Sequence, residues 1–385
     1  MTFVTEPDKQ TTDLIIFGPD DVDLSRSPLR SWIHEETYVL GAFNPALTRL
    51  ANGNLLLMVR VAEALRNPIR DGFIHSIRWE KPGRYVLDAW PLDQVDTTDP
   101  RVFGLLNQPS RVIGVTSLSW LLPVELSADG TRIIKVHYDA IVAPSRTCQE
   151  YGVEDARISI IGHRWCMTTC SVSSERHSTT LYFSKDGLHY VLDGPVLDHQ
   201  NKDMLLFEGL VKGKYYALTR PMGDVYFTTP PGSPWQSGPS INLAVSPDGM
   251  HWRPVDVGFI RPRKNSLTSS KIGGGTPPIL TDSGWLLLYH GVEPGGLVGT
   301  YRTFWALLDA TNPAKVLHVE DQVPLLESAP ELTVFLGEKL YLSNIVFTTG
   351  IADGGEFYVV ASGENDIACR ITHFPKDIFK WSAPV

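Results

Sequence analysis

Ser184-Lys185-Asp186-Gly187-Leu188-His189-Tyr190 returns later in the chain as Ser246-Pro247-Asp248-Gly249-Met250-His251-Trp252. In both copies an Asp-Gly pair supplies a tight turn, and the aromatic three residues after the glycine is an anchor for packing. Around these turns the chain breaks into short runs that mix branched and aromatic residues, such as Asn54 to Val61, Arg132 to Tyr138, Tyr215 to Thr219, Trp285 to Tyr289 and Phe357 to Ala361. These read as strands, and sustained helical periodicity is rare. A looser unit also recurs: a polar or Pro-containing start, an apolar strand, a Gly turn and another strand. It begins at Asn44-Pro45-Ala46-Leu47, Glu154-Asp155-Ala156-Arg157, Leu206-Phe207, Thr276-Pro277 and Asn344-Ile345-Val346-Phe347. Five units that cannot each bury both faces alone predict an all-β fold, a five-bladed β-propeller. Residues 1–40 are expected to form an N-terminal arm and 41–385 a single catalytic domain. The wide interval between the first two units predicts an insertion around 97–145.

Composition agrees with many tight turns between short strands: 32 Gly, 28 Pro, 10 Trp, 13 Tyr and 15 Phe in 385 residues. A net charge of −9 argues against a nonspecific nucleic-acid binder, which needs a basic surface, while leaving room for a small anion in a local basic pocket. Residues 1–10 are polar and acidic, and no apolar run reaches the roughly 18 residues of a membrane span, so a cytoplasmic protein without membrane contact is expected. Cys148, Cys166, Cys170 and Cys369 are scattered, and C-x3-C without nearby histidines reads as free thiols rather than a zinc site.

In a propeller the leading segments of the units converge on the axis. That would bring together Asn44, Glu154, Asp155, Arg157, Asn201, Lys202, Asp203, Thr276 and Asn344. An acidic pair beside cations suits glycosidic bond cleavage, in which a carboxylic acid protonates the leaving oxygen while a nucleophile attacks from the other side. Asp155 is the candidate acid; the competing reading makes Glu154, Asp155 and Arg157 a structural ion pair at a strand start. Arg60, Lys202, Arg220 and His290 each follow a strand or turn. Gathered around one funnel they would form an anion site suited to phosphate, whereas singly each reads as a solvated surface charge. Trp120, Trp285, Tyr301, Trp305 and Phe347 offer either sugar-stacking faces or core packing. Lys271-Ile272-Gly273-Gly274-Gly275-Thr276-Pro277-Pro278 lacks the Gly-Lys-Ser/Thr ending of a nucleotide loop and leads into a strand, so its glycines are read as allowing close backbone approach.

Taken in order, these segments resemble glycoside hydrolase family 130, the β-mannoside phosphorylases and related mannosidases. The resemblance rests on Phe43-Asn44-Pro45-Ala46, Leu57-Met58-Val59-Arg60, Gly152 to Ile158, Asn201-Lys202-Asp203, Thr219-Arg220-Pro221, Lys271 to Pro278, Tyr289-His290-Gly291 and Asn344 to Phe347, within about Phe43 to Asp366. It implies inverting phosphorolysis of a β-mannoside to mannose 1-phosphate and a shortened sugar. Asp155 would be the proton donor, acting through a hydroxyl of the mannosyl unit. Lys202, Arg220 and His290, with Asn201 and Arg60, would hold phosphate. Asn44, Glu154, Arg157, Asp203, Thr276, Asn344 and Phe347 would line the sugar site. Inorganic phosphate is the expected co-substrate, with no metal or other cofactor, and a homo-oligomer is compatible with the sequence. Three departures from the family pattern stand out: Ala156 where Pro is usual, Glu208 where Pro is common, and the region between Val61 and Val153, which matches poorly. A pocket-facing Glu208 would instead serve as the base of a β-mannoside hydrolase. A non-catalytic propeller that binds glycans or a protein is the alternative from another class.

Overall fold

The computed structural model describes residues 12–99, 101–223, 227–379 and 381, the side chains of 108–113 apart. Residues 1–11 of the expected arm therefore lie outside the described residues. Everything described is strand, turn or short 3₁₀ turn, so the all-β reading holds. No described helix is long and apolar enough to cross a membrane.

The chain opens with β1 (Asp13–Phe17) and then forms the long hairpin of β2 (Thr37–Arg49) and β3 (Leu55–Leu65). It next leaves for two small sheets. One comprises β4 (Ile69–Arg70), β5 (Phe73–Lys81) and β6 (Arg84–Pro91), and the other β7 (Val95–Asp96), β8 (Val102–Leu105) and β9 (Gln108–Val115). It returns as β10 (Ser117–Leu126), which pairs with β3 along its whole length and carries β11 (Ile133–Val136) on its other side. The excursion therefore spans 69–115 rather than the expected 97–145. Described β10 residues from Leu118 onward are all buried, so no polar alternation marks it as a strand of the main body.

β12 (Gly152–Ile161), β13 (Arg164–Val172), β14 (His177–Ser184) and β15 (Val191–Pro195) form the next antiparallel run. A single parallel pair, Ser119 with Gly152, joins it to β10 in one eight-stranded sheet. Gly152 has φ +131°, and a Cβ there would lie 2.6 Å from the Ser119 nitrogen, so the junction demands glycine. Then come the sheet of β16 (Asn201–Leu206), β17 (Tyr215–Pro221), β18 (Ile241–Ser246) and β19 (Arg253–Ile260), and the sheet of β20 (Lys271–Gly274), β21 (Ile279–Thr281), β22 (Gly284–Glu293), β23 (Thr300–Leu308) and β24 (Val316–Glu320). β25 (Val346–Asp353), β26 (Phe357–Glu364) and β27 (Ala368–Pro375) complete the order, and β1 pairs antiparallel with β27. Residues 13–17 are thus not an arm but the edge strand of the last sheet; Asp13 accepts two bonds from the Arg370 guanidinium there.

The two Ser-x-Asp-Gly copies close the β14–β15 and β18–β19 hairpins. Asp186 accepts from the backbone N–H of Leu188 and His189 at 2.9 and 2.8 Å, and Asp248 does the same for Met250 and His251 at 2.9 Å each. Tyr190 and Trp252 pack against the hydrophobic clusters below the turns.

Apolar packing runs between successive strand groups. Met58 and Leu121 meet Ile158 and Met167; Leu181 meets Leu206 and Ala217; Leu218 and Leu243 meet Leu287 and Phe304; Leu286 and Leu288 meet Ile351 and Val360. The last group then returns to the first, with Val359 and Ile371 packed among Leu57, Val59 and Trp120. Each buried Leu or Ile contributes on the order of 2 kcal/mol by removal from water, so these seams hold the groups together.

Candidate active site

The first strand of several groups breaks its ladder at the same place. Register shifts fall between Phe43 and Ala46 on β2, between Glu154 and Arg157 on β12, and between Lys202 and Leu205 on β16. Within those breaks Asn44, Asp155 and Asp203 have φ of +47°, +47° and +54°, and Asn344, just before β25, has +61°. Asn and Asp tolerate this left-handed conformation better than other non-glycine residues. The bulges re-aim the Asn44, Asp155 and Asp203 side chains, and Asn44 meets Asp155 directly.

Two linked clusters result. In the first, Arg60 on β3 donates from Nη1 to Asp155 Oδ1 at 3.0 Å and from Nη2 to Glu154 Oε1 at 2.7 Å. Asn44 Nδ2 donates to the same Asp155 oxygen at 3.0 Å, and Lys202 Nζ lies 3.6 Å from Glu154 Oε2. In the second, Asp203 is the hub: Arg220 Nε lies 2.6 Å from its Oδ2, His290 Nε2 3.8 Å from the same oxygen, and Arg157 Nη2 3.5 Å from Oδ1. Arg157 is wholly buried beneath, donating to the carbonyls of Gly275 at 2.6 Å and Asp155 at 2.8 Å, with its guanidinium over the Phe347 ring. Phe347 and Tyr301 stack around His290, with ring centroids 4.7 and 5.8 Å from it.

These contacts set the protonation states. Burial works to raise Asp155, but Arg60, Arg157, Lys202 and the Asn44 amide together hold it well below the usual carboxylate range. Asp203 is likewise lowered, burial being outweighed by Arg220, His290 and Arg157. His290 is pushed down to about 3, chiefly by burial, and so is neutral near pH 7. Lys202 is raised despite burial, because Cys170, Glu154 and Asp155 favour its charged form. Four basic side chains, Arg60, Arg157, Lys202 and Arg220, are thus woven among Glu154, Asp155 and Asp203. Buried polar atoms without hydrogen-bond partners include Asn44 Oδ1, Arg157 Nη2, Asn201 Oδ1 and His290 Nδ1, a set able to receive a polar ligand.

Not every candidate reaches the same place. Thr276 is fully buried, and its hydroxyl accepts from the Leu288 N–H at 3.3 Å, so it braces β22. Asn201 is also buried, with its amide nitrogen committed to Thr179 Oγ1 at 2.9 Å and to the Lys202 carbonyl at 3.0 Å. Asn344 is exposed, its carbonyl accepting from Tyr301 N at 3.0 Å. Ala156 packs with Ala46 and Val153 in an apolar cluster. Glu208 does not share the pocket. Its N–H bonds to the Pro278 carbonyl, and its carboxylate is bonded by the Ile160 backbone, at the opposite end of β12 from Asp155. Five residues of strand, on the order of 15 Å, separate those ends.

Three further residues belong to the site's surroundings. Lys271 holds its ammonium 5.2 Å from the centre of the Tyr301 ring and acts electrostatically on His290. His177 faces the same side of β14 as Thr179, close in field to Lys202, Glu154 and Arg220; burial and Lys202 push it down to about 4. Asp366, in a left-handed pair with Asn365 (φ +52° and +54°), interacts with Arg60, Asp155 and Glu154. The adjacent left-handed-prone Asn-Asp was the available signal for Asp366.

The glycines of the 271–278 segment explain themselves here. A Cβ on Gly273 would lie 2.6 Å from Asp203 Oδ2 and from His290 Nε2, so its absence lets β20 close on the Asp203 hub.

Residues 114–383 match a family model described as beta-1,4-mannooligosaccharide phosphorylase. The chain is 29% identical to a beta-1,2-mannobiose phosphorylase of Listeria innocua over 84% of its own length and 86% of the relative's. It is 31% identical to a 1,2-beta-oligomannan phosphorylase of Thermoanaerobacter sp. over 59% of its length and 69% of that protein's. The structure of the Listeria innocua beta-1,2-mannobiose phosphorylase with beta-1,2-mannobiose superposes with a TM-score of 0.77 at 27% identity, covering 94% of this chain and 95% of that one. On the matched residues and the shared fold, the chain belongs to glycoside hydrolase family 130.

Proposed function

We propose that this protein catalyses inverting phosphorolysis of β-mannosides, releasing mannose 1-phosphate and a shortened sugar, on a five-bladed propeller whose axis carries the site. The cyclic order of apolar seams, ending with the last strand group packed on the first, supports the propeller. The likeness to a relative named beta-1,2-mannobiose phosphorylase over most of both chains supports a β-1,2 linkage as the preferred one.

The reading is supported by the gathering of Arg220 and neutral His290 on Asp203 and of Lys202 on Glu154, next to Asp155, while Glu208 lies toward the far end of β12. A hydrolase needs a carboxylate to activate water where a phosphorylase places cations. The mannosyl unit sits between the two clusters. Phosphate, held by Arg220, Lys202 and the His290 N–H, attacks the anomeric carbon from one face. The leaving oxygen departs on the Asp155 face, its proton delivered through a sugar hydroxyl. Arg157 and Phe347 brace the floor, and no step calls for a metal or organic cofactor.

The test is incubation of the purified protein with β-1,2-mannobiose, with and without inorganic phosphate, following mannose 1-phosphate and free mannose. Mannose 1-phosphate formed only with phosphate is expected. Free mannose at an equal rate in phosphate-free buffer would move the assignment to a hydrolase, and no product from any β-mannobiose would favour a binding module.

A further inference from the structure

β20 and β22 each present neighbouring residues to two different places. On β20, Gly273 faces the Asp203 hub, while Ile272 lines a separate cavity of about 250 Å³. On β22, His290 belongs to the hub and Tyr289 to that cavity. Successive side chains of a strand point to opposite faces, so the cavity stands back to back with the catalytic cluster, with these two strands between them. It also sits at the same end of the sheet. β23 carries Thr303 opposite His290 and, two residues on, Trp305 opposite Glu320, whose neighbour Asp321 lines the cavity.

Trp235 forms one wall of this cavity, half-buried, with the Arg263 guanidinium 5.3 Å from the centre of its ring. A backbone bridge between the same two residues fixes them side by side. Arg263 Nε donates to Asp321 Oδ2 at 2.8 Å, and its two Nη groups make no hydrogen bond among the described residues. A guanidinium with N–H groups to spare, next to a carboxylate, offers donors and acceptors together, as adjacent hydroxyls of a pyranose require. The indole offers the apolar surface that suits the C–H face of such a ring, and Ile272, Tyr289 and Val319 add more. The charged lining is Arg261 and Arg263 against Asp256 and Asp321, two cations and two anions. Its charges therefore cancel, which favours an uncharged ligand over phosphate or a carboxylate. We infer that this cavity is a second carbohydrate-binding site, outside the catalytic centre, that takes one neutral hexose unit, either as free sugar or as the end of an oligosaccharide. The inference stands on the cavity's own chemistry and does not rest on the phosphorolysis reading.

The experiment titrates mannose, which has no bond to cleave, and β-1,2-mannotriose into the full chain by calorimetry in phosphate-free buffer. Two variants are compared with wild type: Trp235→Ala, which removes the wall, and Val257→Trp, which puts an indole into the cavity from an exposed position on β19. Wild type is expected to bind one equivalent of sugar per chain that both variants lose or hold at least about tenfold more weakly. Both variants should keep kcat/KM for β-1,2-mannobiose with phosphate within about twofold of wild type, since neither touches the catalytic cluster. Tighter binding of mannotriose than of mannose at that equivalent identifies a chain end as the occupant, and equal affinity a single free unit; either upholds the site. The same number of equivalents at the same affinity in wild type and both variants overturns the inference. Should circular dichroism show that Trp235→Ala does not fold, Val257→Trp decides alone. Wild type that makes no mannose 1-phosphate would remove the phosphorolysis reading and leave the count of mannose equivalents to decide this one.

Discussion

Arg60 grips Asp155 and Glu154 at once, one Nη on each carboxylate at 3.0 and 2.7 Å, from a strand that is otherwise buried and, apart from Glu63, apolar. The guanidinium thereby sets both the direction and the charge of the Asp155 carboxylate.

Replacing either partner should be costly for turnover, and Arg60→Met also for folding, because it leaves two largely buried carboxylates without their shared cation. Asp155→Asn removes the proton relay and is expected to lower kcat by about 10²–10⁴-fold with a near-native melting temperature. Arg60→Met lets burial dominate Asp155, so its pKa rises and the acidic limb of the rate profile moves toward neutral pH. Rate profiles from pH 4 to 9 for both variants check this.

Lys202 and Arg220 should separate cleanly. Lys202 is the more exposed and leans on one oxygen of Glu154, so Lys202→Met is expected to raise KM for phosphate at least tenfold with a small change in stability. Arg220→Met leaves Asp203 buried with its nearest countercharge gone, and should cost about 3–5 kcal/mol in addition to phosphate affinity. Denaturant melts alongside phosphate titrations distinguish the two.

Glu208 is expected to be dispensable for activity but visible in stability. Burial lifts it to about 7 from the ordinary glutamate value near 4.5. The folded state therefore binds more protons than the unfolded state between those values, and the native state loses stability as pH rises through that window, by at most about 3 kcal/mol. Glu208→Gln should flatten that decline and keep full phosphorolysis. Loss of activity in this variant would reopen the hydrolase reading.

Gly273→Ala tests the close approach of β20 to the Asp203 hub. The added methyl would meet Asp203 Oδ2 and His290 Nε2, both of them buried, so the strand must retreat. A raised KM for phosphate is expected, with a stability cost of about 1–3 kcal/mol, measurable by steady-state kinetics and thermal melts.

Much of the site was legible because the trait that builds it is local. Asn44, Asp155, Asp203 and Asn344 are residues able to occupy left-handed backbone at a strand bulge, and they stand at matching points of a repeating unit. Reading Asn44, Asp155 and Asp203 as neighbours needed no contact information, whereas Asn344 stays exposed. Thr276 occupies a matching point too, but its short side chain turns to the β22 backbone, which residue type and spacing do not reveal. The excursion was misplaced for a related reason: β10 is buried from Leu118 on and lacks the polar alternation that marks a half-exposed strand.

By itself, then, the sequence determined the strand-and-turn content, the acidic and cationic candidates for the site and the likeness to the family. Those follow from backbone preference, hydrophobic pattern and residue chemistry, all of which act within a few positions. Only the tertiary structure decided that residues 13–17 pair with β27, that Glu208 lies toward the far end of β12 and that Arg60 ties Asp155 to Glu154. Each of these depends on distance and burial between segments far apart in the chain, which the packing of one sheet against the next sets.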